Sequence, residues 1–196
     1  MEHEITVTGI GGQGVQLASQ ILTAAATLEG REVMSLGLYG GTMRGGNTDS
    51  TIVLADEPIS TPPIVAHFSC ALAMHDAFFE PIAKKLRPGA IVVVNSTVFK
   101  AKVDPDEFRV FEVPATRMAD ELGSSLMASL ILLSAFSRLT AAVSLDSLIH
   151  GMRECLPSYR QHHSEANEGA LRTGHALLPA GTLPLWSASG QGGMRG

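Results

Sequence analysis

Two rhythms of hydrophobic and polar positions run along this chain. Residues 4–9 (E-I-T-V-T-G) form a short β-branched run that stops at glycine, which predicts a buried first strand. Gly11-Gly12-Gln13-Gly14 follows, and then Val15, Ala18, Ile21, Leu22 and Ala25 recur at the 3.6-residue period of a helix with one apolar stripe. The pattern predicts a helix over 15–28, ended at Gly30. Residues 31–36 (R-E-V-M-S-L) predict a second strand. Strand, glycine turn, helix and strand within about 35 residues make a βαβ unit, whose crossover is right-handed and whose strands belong to a parallel sheet.

Further strands are predicted at 48–54, 68–74, 90–95 and 108–113, the last ended by Pro114. Asp56-Glu57-Pro58 reads as a turn, and Thr61-Pro62-Pro63 as extended chain, because proline restricts itself and its predecessor. Residues 75–86 read as a helix, with Pro81 against it. From residue 115 the character becomes helical, over 116–122, 126–139, 145–155 and 159–177, with Ser144 and Ser158 as candidate N-caps. Residues 178–196, rich in Gly, Pro and Ser, read as a disordered tail. The expected architecture is α/β: a mainly parallel sheet with a Rossmann-like first βαβ unit and a helical C-terminal part. One domain is expected over 1–177.

Composition narrows the class. The 196 residues are 45% hydrophobic and 17% charged, below the roughly 25% charge of an average domain. Both a permanently partnered subunit and a small enzyme with an Ala-rich core fit that balance. A net charge of −5 without a Lys/Arg run argues against nucleic acid and against an anionic membrane as partners. No apolar run reaches the ~18 residues of a membrane span. The acidic start Met1-Glu2-His3-Glu4 lacks the basic region of a signal peptide, and the expected location is the cytoplasm. Cys70 and Cys155 form no C-x-x-C pair, which suits a reducing compartment. They are also too few for an iron–sulfur cluster, which takes four cysteines as a rule.

The candidate chemistry lies in two glycine loops. Gly9-x-Gly11-x-x-Gly14 follows a strand and opens a helix, the context in which backbone amides cradle phosphate. A dinucleotide site also needs an acid at the end of the second strand, and Val33-Met34-Ser35-Leu36-Gly37 has none. A packing turn, another phosphate-bearing ligand and a partner contact all stay open. The second loop, Tyr39 to Asn47, holds Gly40, Gly41, Gly45 and Gly46 around Arg44. So many glycines are costly to order and belong where backbone must approach something closely or where a lid must move. Arg44 can fork onto a phosphate or carboxylate, or pair within the chain. Loops after successive parallel strands leave at the same sheet edge, so the two loops should converge.

No Walker lysine, thiamine diphosphate signature, G-x-S-x-G or H-E-x-x-H is present. His162-His163 reads as a solvated face, His67 and His75 as satisfied core or edge histidines, and Asp104, Asp106 and Glu107 as a solvated turn around Pro105. No complete catalytic constellation appears.

Thr8-Gly9-Ile10-Gly11-Gly12-Gln13-Gly14-Val15, followed by Tyr39-Gly40 and Met43-Arg44-Gly45-Gly46, resembles the gamma subunit or gamma domain of 2-oxoacid:ferredoxin (acceptor) oxidoreductases. Glu121-Leu122-Gly123 resembles that family's later helix entry, and the likeness runs from about Ile5 to Gly174. The resemblance implies a holoenzyme that decarboxylates a 2-oxoacid on thiamine diphosphate and passes electrons through iron–sulfur clusters to ferredoxin or another acceptor. The product is an acyl-CoA. It implies thiamine diphosphate-binding and alpha-type catalytic subunits and an iron–sulfur protein as partners. The gamma unit would pack beside the thiamine site and help bind or admit CoA. On that resemblance Gly11, Gly12, Gln13, Gly14, Tyr39, Arg44, Gly45, Gly46 and Asn47 would face CoA or a partner. Gly41-Thr42 stands where many relatives carry Pro-Glu, and the Met-Arg-Gly-Gly form leans toward 2-oxoglutarate over pyruvate. A stand-alone nucleotide-binding protein and a non-enzymatic assembly module are the alternatives.

Overall fold

The computed structural model describes residues 1–40, 45–59 and 65–186. Its strands are β1 (Glu2–Ile10), β2 (Glu32–Tyr39), β3 (Asn47–Ala55), β4 (Phe68–Ala73), β5 (Leu86–Asn95) and β6 (Arg109–Val113). They form one sheet in the order β2-β3-β1-β4-β5-β6. Pairings from β1 through β4 and β5 to β6 are parallel, whereas β3 is antiparallel to both its neighbours. The fold is therefore α/β with a mainly parallel sheet, as expected.

The first βαβ unit departs from expectation in one respect. Helix α1 (Val15–Leu28) joins two strands that run the same way, but β3 lies between them. The reason is the short connection after β2. It returns the chain as a hairpin, and β3 then pairs along the whole of β1, from Glu2↔Ala55 to Ile10↔Asn47. A hairpin closes locally at lower entropic cost than a second crossover.

Alternation along the strands separates two cores. Ile5, Val7, Ile52, Leu54, Leu72 and Val93 face the helices, where Ile21, Leu22, Ile131, Phe136 and Leu148 are fully buried. Val53, Ala71, Ala73, Val92 and Val94 face the other way, under Phe79, Phe99 and Phe108. Each large apolar side chain buried this way stabilises by about 1.5–3 kcal/mol. The helical layer holds α3 (Ala115–Glu121), α4 (Ala128–Thr140), α5 (Leu145–Cys155) and α6 (Ser164–His175). Helix α4 is buried nearly all round and sits at its centre.

Some local expectations fail for identifiable reasons. Residues 75–86 are not one helix: α2 covers only Phe79–Ala83, with Pro81 in its first turn, where a missing N–H is harmless. Strand β5 begins early, at Leu86, and takes Pro88-Gly89 as an irregularity, with Gly89 at φ 76°. Ser144 caps α5 by accepting from Ser147 N at 3.1 Å. Ser158 caps nothing: it lies within a 3-10 turn (Ser158–His163) ahead of α6. Asn95, fully buried at the end of β5, holds the start of α3 by accepting from Thr116 N (3.1 Å).

The expected disordered tail does not describe residues 178–186. Gly181, Leu183 and Leu185 donate backbone hydrogen bonds to the carbonyls of Arg138, Leu139 and Thr140, satisfying the open end of α4. Trp186 donates from Nε1 to Ala142 O at 2.9 Å. The Arg31 guanidinium lies 3.9 Å over its ring, and His3 meets it edge-on. Residues 187–196 lie outside the described residues. Trp186→Ala should lower the unfolding free energy by about 2 kcal/mol in a denaturant titration, through lost ring packing, cation–π contact and one hydrogen bond. Burial pulls the His3 imidazole below its ordinary value of 6.5. The neutral ring is the folded form, so this contribution is complete above pH 6.5 and fades as the pH falls below it.

Candidate functional site

The turn between β1 and α1 is built by its glycines. Gly12 and Gly14 have φ of 104° and 80°, a region that side chains rarely adopt. Gly9 is needed for another reason: a Cβ there would stand 2.8 Å from Gln13 Oε1 and 2.9 Å from Met74 Cβ. The predicted Gln13 is turned inward. Its Oε1 accepts from Ile10 N at 3.0 Å, and its own N–H donates to Ile10 O at 3.2 Å, closing the turn. Helix α1 starts at Gly14 with no side-chain cap and no acid in its first turn. Its exposed amides and positive dipole end are suited to an anion.

The second loop meets the first. Gly40 N donates to Asn47 O at 2.7 Å across the hairpin neck, and Gly11 N donates to Gly46 O at 2.9 Å, joining the two loops. Gly11, Gly12, Gly14, Gln16, Tyr39 and Thr48 line the resulting recess of about 510 Å³. Tyr39 is 74% exposed at its rim. Gly11, Gly12, Gly14 and Tyr39, singled out from sequence, are thus brought together. Gly45, Gly46 and Asn47 form the adjoining neck, and Arg44 lies outside the described residues. A larger recess of about 670 Å³, lined by Phe99, Lys100, Lys102 and Glu112, lies beyond the far end of the sheet. It has mixed charge and no open helix start, so the glycine recess is the better anion site.

Thr8, Gln16 and Asp49 join the site although the sequence pattern does not single them out as site residues. Asp49, on β3, accepts from Thr8 Oγ1 at 2.6 Å and from Asn47 Nδ2 at 2.7 Å. Its backbone carbonyl accepts from Gln16 Nε2 at 2.9 Å. This acid lies beside β2, where a ribose-binding acid was sought, but both its oxygens are engaged within the chain. No spacing rule could find it, since its partners meet only once β3 has been placed against β1.

The thiols take no part in this arrangement. Burial pushes Cys70 up to about 12 and also raises Cys155, so neither is a ready thiolate at neutral pH. Apolar side chains stand exposed beside the recess: Leu38 on β2, and Leu122 and Leu126 around a second hollow of about 430 Å³. Leu17 lines both hollows. Among the described residues no helix is long and apolar enough to cross a membrane.

Residues 4–177 match the model of the pyruvate ferredoxin/flavodoxin oxidoreductase family, and the chain belongs to that family. The chain is 29% identical over 188 residues to 2-oxoglutarate synthase subunit KorC of Methanothermobacter thermautotrophicus, covering 93% of this chain and 98% of that one. It is likewise 29% identical over 160 residues to KorC of Methanocaldococcus jannaschii, covering 80% and 85%. Pyruvate synthase subunit PorC of Methanothermobacter marburgensis is 26% identical over 156 residues, covering 79% and 86%. The fold matches the gamma subunit of a keto/oxoacid ferredoxin oxidoreductase from Geobacter sulfurreducens with a TM-score of 0.75 at 24% identity, over 89% and 95% of the two chains. It also matches 2-oxoglutarate:ferredoxin oxidoreductase of Magnetococcus marinus, solved with 2-oxoglutarate, coenzyme A and succinyl-CoA, at a TM-score of 0.80 and 21% identity. There the match covers 90% of this chain and 31% of the other.

Proposed function

We propose that this gamma unit works in a cytoplasmic complex that oxidatively decarboxylates a 2-oxoacid, with 2-oxoglutarate favoured, to its acyl-CoA. The glycine recess would face the phosphates of CoA. The observation that carries the reading is the junction of Gly11 N with Gly46 O at the uncapped start of α1. Two backbone loops, an open helix start and no nearby acid on the helix make a site for a polyanion, and CoA is the polyanionic reactant of this chemistry.

The chain's own part is binding and orientation. Amides at the start of α1 would hold a phosphate, Tyr39 would flank the entering ligand, and Leu38, Leu122 and Leu126 would seat a partner subunit. Thiamine diphosphate and iron–sulfur clusters, held by partner subunits, supply decarboxylation and electron transfer. The similarity of this sequence to 2-oxoglutarate synthase subunits supports the choice of substrate, as does its Met-Arg-Gly-Gly loop. Purification of the chain from its own cells tests the reading. Thiamine- and iron-containing subunits should co-elute in fixed ratio and turn over 2-oxoglutarate only when CoA is supplied. A chain that elutes alone, without partners, overturns it.

A further inference from the structure

We infer that Asp49 is a positioning residue: one carboxylate that sets the relation of the two glycine loops and so shapes the recess between them. As to the ligand, this rests on the reading of that recess as a CoA site.

Asp49 lies on β3, between β1 and β2, directly opposite Thr8 on one side and Leu38 on the other. Thr8 immediately precedes Gly9 on β1, is fully buried, and its hydroxyl donates to Asp49 Oδ1. Asn47 begins β3 at the neck of the second loop, and its amide donates to Asp49 Oδ2. Gln16 belongs to the first turn of α1, lines the recess, and donates to the Asp49 carbonyl. A Cβ on Gly37 would fall against the Gln16 side chain, so the bare strand there also fixes where that amide lies. One residue thus ties down the strand that feeds the first loop, the helix that leaves it and the neck of the second.

The Asn47 main chain carries the constraint onward. Its carbonyl accepts from Gly40 N, and the adjacent Gly46 carbonyl accepts from Gly11 N. A shift of Asn47 therefore moves the junction of the two loops. The choice of a carboxylate is itself informative. Among the described residues no Lys, Arg or His lies within ion-pair distance of Asp49, and its side-chain partners there are the neutral Thr8 hydroxyl and Asn47 amide. Hydrogen bonds to an ionised acceptor are shorter and stronger than neutral ones, and the 2.6 and 2.7 Å separations fit that. A threonine or valine at this mid-sheet position would complete the strand without gripping either loop.

The test uses the full chain, alone and in the assembled complex. In Asp49→Ala, amide exchange at Gly11 and Gly40 should quicken about tenfold, the factor that one charge-assisted hydrogen bond commands. The KM for CoA should rise about as much, with kcat and the KM for the 2-oxoacid within about twofold. Asp49→Asn should restore both readouts in part: its oxygen can accept from Thr8, and Asn47 can turn its amide over to accept from the new NH2, but both bonds are then neutral. Thr8→Val, nearly isosteric, should move them the same way by less, and decides the matter if Asp49→Ala fails to fold. Unchanged exchange at both glycines overturns the proposal, as does an equal loss in kcat and in both Michaelis constants. Faster exchange with an unchanged KM for CoA keeps Asp49 as the organiser of the loops and removes CoA from the recess.

Discussion

Gly14→Ala should lower the unfolding free energy by about 3 kcal/mol, the sum of left-handed backbone strain and overpacking of a closed site. Gly14 has φ of 80°. A Cβ there would lie 3.2 Å from Ser129 Cβ and inside the contact distance of Ser129 Oγ. Ser129 is 1% exposed at the start of α4 and cannot swing away, because that helix is buried almost all round. Among the described residues the Ser129 hydroxyl has no hydrogen-bond partner, so Ser129→Ala alone should be neutral or mildly stabilising. In the Gly14→Ala background it should recover about 1 kcal/mol, a coupling of the size usual for touching residues. Denaturant titration of the two single variants and the double variant measures this. A loss below 1 kcal/mol in Gly14→Ala, or no recovery in the double variant, would show that this contact does not fix the first loop.

The other large effect is on the ligand. Gly11→Asp should raise the KM for CoA at least tenfold in the assembled complex, roughly 1.4 kcal/mol or more. Gly11 lies outside the left-handed region, and its nearest neighbour would be Gly45 N at an ordinary 3.4 Å from a new Cβ, so the fold should accept the side chain. The added carboxylate would sit on the lining of the recess and repel phosphate. The KM for the 2-oxoacid should stay within about twofold, and Gly11→Asn, of the same shape, should show most of the effect gone. Raising the ionic strength should narrow the gap between the two variants, since the penalty is partly screened. A tenfold rise in Gly11→Asn as well would point to shape, not charge, and would weaken the case for an anion at this place.

Much of this arrangement can be seen in the sequence because it is local. The stripe of Val15, Ala18, Ile21, Leu22 and Ala25 marks α1 with its observed bounds, and Ser144 marks the start of α5. The convergence of the glycine loops also follows from sequence, since it needs only that β1 and β2 point the same way. The insertion of β3 between them does not, because a strand pattern carries no direction. Asp49 stayed hidden for the same cause: its partners Thr8, Gln16 and Asn47 come from three elements and meet only in the folded register. The tail misled through composition. Gly, Pro and Ser suggest disorder, yet Leu185 and Trp186 anchor the segment on the end of α4. Gln13 shows the converse limit, a residue rightly placed at the loop whose side-chain carbonyl faces the turn and not the recess.

Hydrogen–deuterium exchange on the assembled complex, with and without CoA, asks where the ligand lies. The expected result is CoA-dependent protection of residues 10–17 together with 39–40 and 45–48, weakened in Gly11→Asp and absent with 2-oxoglutarate alone. Protection confined to other subunits, with these residues exchanging at the same rate in both conditions, would contradict the assignment of the glycine recess to CoA.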